Sequence, residues 1–166
     1  MSESYEFSMQ INGPINFKDL LERFPLEIPT GLLLTDSYGD FVEETEPFRG
    51  LLWRDVTCIL MRDRFEVALA FSPEALHYFF PAFILNSEVD LDAMDLPIDY
   101  LLSVMIPSDD PAIMEWKLKR WGLFSMAQWE LIRKWLDWLA SAGNPSGLSN
   151  LEIAHKSVLE GVWFQK

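Results

Sequence analysis

The sequence predicts a mostly α protein: a single compact helical domain over residues 1–166 with one short β strand or hairpin at its N-terminus. Three observations carry this. Apolar residues recur at helical spacing through most of the chain. Helix-start signals recur as well, at Ser72-Pro73-Glu74, Asp109-Asp110-Pro111, Ser125-Met126-Ala127-Gln128 and Ser149-Asn150-Leu151-Glu152. A clear alternation of polar and apolar residues falls on residues 4–11, with Tyr5, Phe7, Met9 and Ile11 on one face. With 166 residues, 49% of them hydrophobic, the chain suits one domain with a sizeable core.

After the strand, Asn12-Gly13-Pro14 is a break. Asn16 then caps a short helix over Phe17–Phe24, with Phe17, Leu20, Leu21 and Phe24 on one face and Pro25 and Pro29 closing it. Residues 28–42 hold Leu32, Leu33, Leu34 and Gly39 and are expected to form one or two short strands. Thr45-x-Pro47 opens a helix carrying Leu51, Leu52, Val56, Ile59 and Leu60 as far as Met61. Ser72-Pro73-Glu74 combines a hydroxyl cap, a proline at the first helical position and an acid at the positive end of the dipole. Pro81 lies inside the helix that follows, where it removes one backbone hydrogen bond and favours a kink among Phe79, Phe80, Phe83 and Ile84. Residues 88–110 are acidic with an apolar face. Asp109-Asp110-Pro111 starts a helix ending at Gly122. Ser125 and Gln128 form a capping box for a helix to Ala142 that is apolar on most sides, and Gly143-Asn144-Pro145 stops it. A last helix runs from the second capping box to Gly161.

Charge narrows the function classes. There are 26 acids against 13 Lys and Arg, a net charge of −13. Phosphate neutralisation needs clustered cations, so a nucleic-acid partner is not expected. Residues 1–110 hold 21 of the acids and 6 of the bases. Between Phe65 and Trp116 there is no Lys or Arg, while Glu66, Glu74, Glu88, Asp90, Asp92, Asp95, Asp99, Asp109, Asp110 and Glu115 all fall there. A second block, Asp36–Glu46, holds Asp36, Asp40, Glu43, Glu44 and Glu46 without a base. Local negative charge of this density attracts a cationic partner and speeds its encounter. The N-terminus has neither the basic nor the apolar region of a secretory signal, and no apolar run reaches the ~20 residues that span a bilayer. A cytoplasmic protein without a membrane partner is expected.

Motifs for chemistry are scarce. There is no phosphate loop, G-x-G-x-x-G, H-E-x-x-H or G-x-S-x-G, and no cofactor or metal is expected. Asp90-x-Asp92-x-x-Asp95 lacks the glycine and the distal glutamate of a calcium loop. The single Cys58 reads as a small hydrophobe in a helix, although Arg54 and Arg62 stand four residues to either side. His77 reads as a hydrogen-bonded histidine of the core or its rim, and His155 as a surface residue. Seven Trp and 12 Phe read first as an aromatic core. Trp121, Trp138, Trp163 and Phe164 stand at helix ends or the C-terminus, where partial exposure would serve binding.

Trp53-Arg54-Asp55-Val56 followed by Leu69–Ser87 (L-A-F-S-P-E-A-L-H-Y-F-F-P-A-F-I-L-N-S) resembles a bacterial helical family of unknown function. That family is marked by a Trp helix and S-P-E-A-x-x-Y-[YF]-x-P-A-[FY], and Arg120–Leu136 resembles its later segment R-x-x-x-[FL]-[ST]-x-x-Q…I-x-x-[WF]-L. The resemblance covers Glu46–Gly143, leaving 1–45 as an extension of strand, helix and loop and 149–161 as a C-terminal helix. It implies a helical immunity or accessory protein encoded beside bacterial toxin systems, and no catalytic residues.

The expectation is therefore a non-enzymatic acidic protein that binds and neutralises a basic partner, a toxin domain. Its contact residues are expected at Asp36, Tyr38, Asp40, Phe41, Glu43, Glu44 and Glu46 and at Glu88, Asp90, Asp92 and Asp95, with Tyr38 and Phe41 as anchors. Two alternatives stand beside it: a small hydrolase using His77 with a carboxylate such as Glu74, and a homo-oligomeric structural protein using exposed tryptophans.

Overall fold

The computed structural model describes residues 13–36, 41–142 and 150–164. Its helices begin where side chains satisfy the first free amides. Asn16 accepts from the Lys18 amide and starts α1 (Phe17–Arg23). Ser72 accepts from Ala75 and starts α5 (Pro73–Val89). Asp110 accepts from Ala112 and Ile113 and starts α7 (Pro111–Trp121). Ser125 and Gln128 form the reciprocal capping box of α8 (Met126–Ser141). Between these lie α2 (Val42–Thr45), α3 (Cys58–Asp63), α4 (Val67–Ala70) and α6 (Asp95–Val104), and α9 (Leu151–Leu159) follows. The molecule is a compact helical domain, as the sequence predicts. The expected strand over 4–11 and the Gly143-Asn144-Pro145 stop lie outside the described residues. So does Ser149, and Asn150 stands at the N-cap of α9 without a side-chain cap bond.

Two expectations are corrected. No strand forms over 28–36. A turn closes there from the Leu32 amide to Pro29 O, with Gly31 left-handed at φ 72°, and the α5 cap then takes the segment. The Ser72 amide donates to Leu34 O (2.8 Å) and the Ser72 hydroxyl to Leu33 O (2.6 Å). The helix expected from Pro47 to Met61 is broken into 3₁₀ turns at Glu46–Phe48 and Trp53–Asp55 and the separate α3. Gly50 takes φ 75°, which interrupts right-handed winding, and Thr57 then caps α3 by accepting from the Leu60 amide.

The core gathers around α5, whose residues from Ala75 to Glu88 are buried except His77. A helix buried all round cannot show a polar face, and this one continues through Pro81 without ending. Phe80 is the hub, with ring contacts to Phe24, Phe83, Trp121, Phe124 and Trp135. Buried indoles need partners for their N–H groups. Trp53 donates to Pro25 O, Trp121 to Val104 O and Trp135 to Ser87 Oγ. Trp121 and Trp163 are fully buried, so they belong to the core and not to an exposed aromatic surface; Trp138 is half-buried.

Candidate interaction face

Three acid-bearing segments far apart in sequence are brought together by helix packing. α2 packs on α4, and α4 packs on α6. α2 contributes Glu43 and Glu44, the residue before α4 is Glu66, and α6 contributes Asp95 and Asp99; none of these three helices contains a Lys or Arg. Side-chain contacts stitch the segments together. Glu44 lies 3.7 Å from Arg64, the C-cap residue of α3. The adjacent Phe65 ring packs against Tyr100 at 5.3 Å. Burial, the hydrogen bond to Glu66 and the charges of Glu66 and Asp99 raise the Tyr100 phenol above its usual range. Asp99 also accepts from Asn150 Nδ2 (3.2 Å), which ties the face to α9. Exposed Phe41, Val42 and Leu96 supply apolar surface beside these carboxylates.

The predicted contact residues distribute unevenly. Glu43 is exposed on α2, Phe41 is exposed at its N-cap, and Asp95 is half-buried on α6. Asp90 and Asp92 are exposed in the turn between α5 and α6, and Asp90 Oδ1 accepts from the Ala93 amide (3.0 Å). Glu46 is exposed and chelated by Arg49 (2.8 and 3.0 Å), which lowers its pKa through the hydrogen bond and the charge. Asp36 is bonded instead to buried Arg120 (3.3 Å). Glu88 is 4% exposed, so its expected place on a solvated acidic surface is corrected: it faces the protein interior at the end of α5. Tyr38 and Asp40 lie outside the described residues. Glu66, Asp99 and Tyr100 were not among the predicted contacts, because only the packing of α4 on α6 brings them beside α2.

The residues considered for chemistry are occupied otherwise. Gln128 Nε2 donates to Arg23 O (2.7 Å), which turns its Oε1 toward the Ser125 amide (2.9 Å) and His77 Nε2 (3.0 Å). That oxygen only accepts, so neutral His77 carries its proton on Nε2. Burial lowers the His77 pKa, and its ring packs against Phe124 at 4.8 Å. Glu74 is exposed, and its charge acts on Arg120 instead. His77 thus joins α5 to the α8 cap and the end of α1. Cys58 donates to Asn86 Oδ1 (3.2 Å), and burial together with Asp90 raises its thiol pKa, the opposite of activation. His155 is half-buried and bonded to Asp137 (2.6 Å), joining α8 to α9. Among the described residues no group of three His, Cys, Asp or Glu is placed to hold a metal ion, and no helix is long and apolar enough to cross a membrane.

Over the described residues the chain is a compact helical domain in which the acid-bearing segments of α2, α4 and α6 pack in succession. Compared with family models, curated proteins and solved structures, the chain matches none of them.

Proposed function

We propose that this chain is a non-enzymatic acidic binding protein whose α2–α4–α6 side receives a cationic protein, in the manner of an immunity protein covering the basic site of a toxin. The observation that carries the reading is the packing of α2 on α4 and of α4 on α6, which joins the segments carrying Glu43, Glu44, Glu66, Asp95 and Asp99 with no Lys or Arg in any of the three helices, Arg64 pairing with Glu44. Like charges brought together repel and cost stability, so a gathered set fits a surface that a partner neutralises. Carboxylates there steer a Lys- or Arg-rich surface into register, while Phe41, Val42 and Leu96 give the complex apolar area to bury.

A pull-down with the purified protein as bait, from a lysate of the cell that makes it, tests this at low and high salt. A basic protein retained only at low salt, whose toxicity the bait suppresses, is the expected result. Retention that ignores salt, or its persistence in the double variant Glu43→Lys, Asp95→Lys, would show that the acidic side is not the contact.

A further inference from the structure

The carboxyl of Glu88 sits in the last turn of α5, 4% exposed, and meets the chain where the first residues join α1. Its Oε1 accepts from the Ile15 amide at 3.1 Å across 73 residues of sequence. Gly13 lies so close that a Cβ on it would stand 2.2 Å from the carboxyl carbon. Ile15 is itself a core residue, 1% exposed. The segment Gly13–Ile15 is therefore laid across a buried carboxyl group.

No cation pairs with that carboxyl among the described residues. Each titratable group brought to this end of α5 is engaged elsewhere or set apart. Cys58 of α3 donates to Asn86. Arg54 and Asp55 line a cavity of about 220 Å³ with Leu85, Asn86 and Val89. Asp90, the helix's own C-cap residue, accepts from Ala93. On α6, Asp95 accepts from Leu96 and Asp99 from Asn150. α7 also packs on α5, but there Lys117 donates to Ser103 O and Ile106 O, and Arg120 is held at the other end of α5 by Phe71 O and Asp36. From α8, Trp135 reaches this end through neighbouring Ser87. An ionised Glu88 would thus be a buried charge with one amide donor for compensation, and its place at the negative end of the α5 dipole adds to the cost.

We propose that Glu88 is a proton-operated fastening for the N-terminal segment: protonated, it holds Gly13–Ile15 on α5, and on losing its proton it loosens them. The direction follows from linkage. Burial raises the carboxyl pKa to about 7, against the opposing hydrogen bond from Ile15, while a released carboxyl titrates near the ordinary 4.5. A group whose pKa is higher when docked strengthens docking below its free pKa. It surrenders that contribution as pH rises through the docked value.

The test is amide hydrogen exchange of the full chain, corrected for the intrinsic rate. Ile15 is followed beside the core amide of Leu136, with a ¹³C titration of the Glu88 carboxyl. Protection of Ile15 is expected to be about tenfold higher at about pH 6 than at about pH 8, and lower than that of Leu136 at both. The isosteric Glu88→Gln should remove the pH dependence, and Gly13→Ala, whose methyl displaces the carboxyl, should reduce protection at the lower pH. Equal protection of wild-type Ile15 at both pH values would overturn the proposal. So would dependence that persists in Glu88→Gln, or Ile15 and Leu136 exchanging together. The wild-type titration stands even if a variant does not fold, and a Glu88 midpoint below about 5 would also overturn it.

Discussion

A guanidinium removed from water depends on how completely its five N–H groups are answered, and Arg120 is answered incompletely. Its side chain is 1% exposed, Nη1 donates to Trp116 O, Nη2 is shared between Phe71 O and Asp36, and Nε has no partner. It stacks 3.5 Å from the Trp116 ring centroid. Burial pulls its pKa down, and Asp36 opposes that. Asp36 is 45% exposed, so solvent screens much of the pair. Asp36→Asn is therefore expected to cost about 1 kcal/mol in urea denaturation. Arg120→Met, which fills the space without a buried charge, should lie within about 1 kcal/mol of wild type. In the Arg120→Met background Asp36→Asn should cost nothing, and an equal cost in both backgrounds would mean that the pair is not what holds Asp36. None of this was legible in sequence, where Asp36 reads as one more acid of an acidic loop. Glu88 misled in the same way. Asn86-Ser87-Glu88 looks like a polar exit from a helix, yet Asn86 donates to Val56 O and Ala82 O, Ser87 to Ile84 O, and Glu88 accepts from Ile15. Internal partners made polarity compatible with burial.

Among the elements, the helices with strong local caps were the legible ones, because a cap is a short-range bond between residues two or three apart. Asn16, Ser72, Asp110 and the Ser125–Gln128 box all act as their spacing predicts. The Pro47–Met61 stretch was not legible, since Leu51, Leu52, Val56, Ile59 and Leu60 keep helical spacing through a segment that does not wind as one helix. The local signal was Gly50, left-handed at φ 75° with open space around its Cα. A methyl there meets no neighbour, so the cost of Gly50→Ala is conformational alone, about 1 kcal/mol, and should appear as a lower Tm. An unchanged Tm would mean that the turn relaxes to another backbone geometry. The end of α6 shows a second kind of hidden feature. Two residues of α7 meet its last turn, Lys117 through Ser103 O and through Ile106 O just beyond the helix and Trp121 through Val104 O, a long-range cap invisible to spacing. Burial lowers the Lys117 pKa accordingly.

For the whole molecule the governing quantity is the net charge of −13 and its concentration in the first two thirds of the chain. Composition made that asymmetry legible, but not the packing of α2 on α4 and α4 on α6 that joins the segments carrying Glu43, Glu44, Glu66, Asp95 and Asp99. On the proposed function the same carboxylates act oppositely in the free and bound states. In the free protein they repel one another; toward a cationic partner they attract. Added salt, with a screening length near 8 Å at physiological strength, weakens both effects. The double reversal Glu43→Lys, Asp95→Lys separates them, since it replaces two acids of the face and leaves Asp99, which is bonded to Asn150, in place. At low salt the free variant is expected to be more stable than wild type by about 0.5 kcal/mol, with the gain vanishing near 0.5 M salt, roughly where screening becomes short-ranged. Its association rate with the cationic partner should fall about tenfold at low salt and converge on the wild-type rate at high salt. A fall in rate that survives high salt would mean that the substitutions damage contacts and not steering. Equal rates at low salt would place the partner on another surface, and the stability gain would then be the only consequence of the gathered charge.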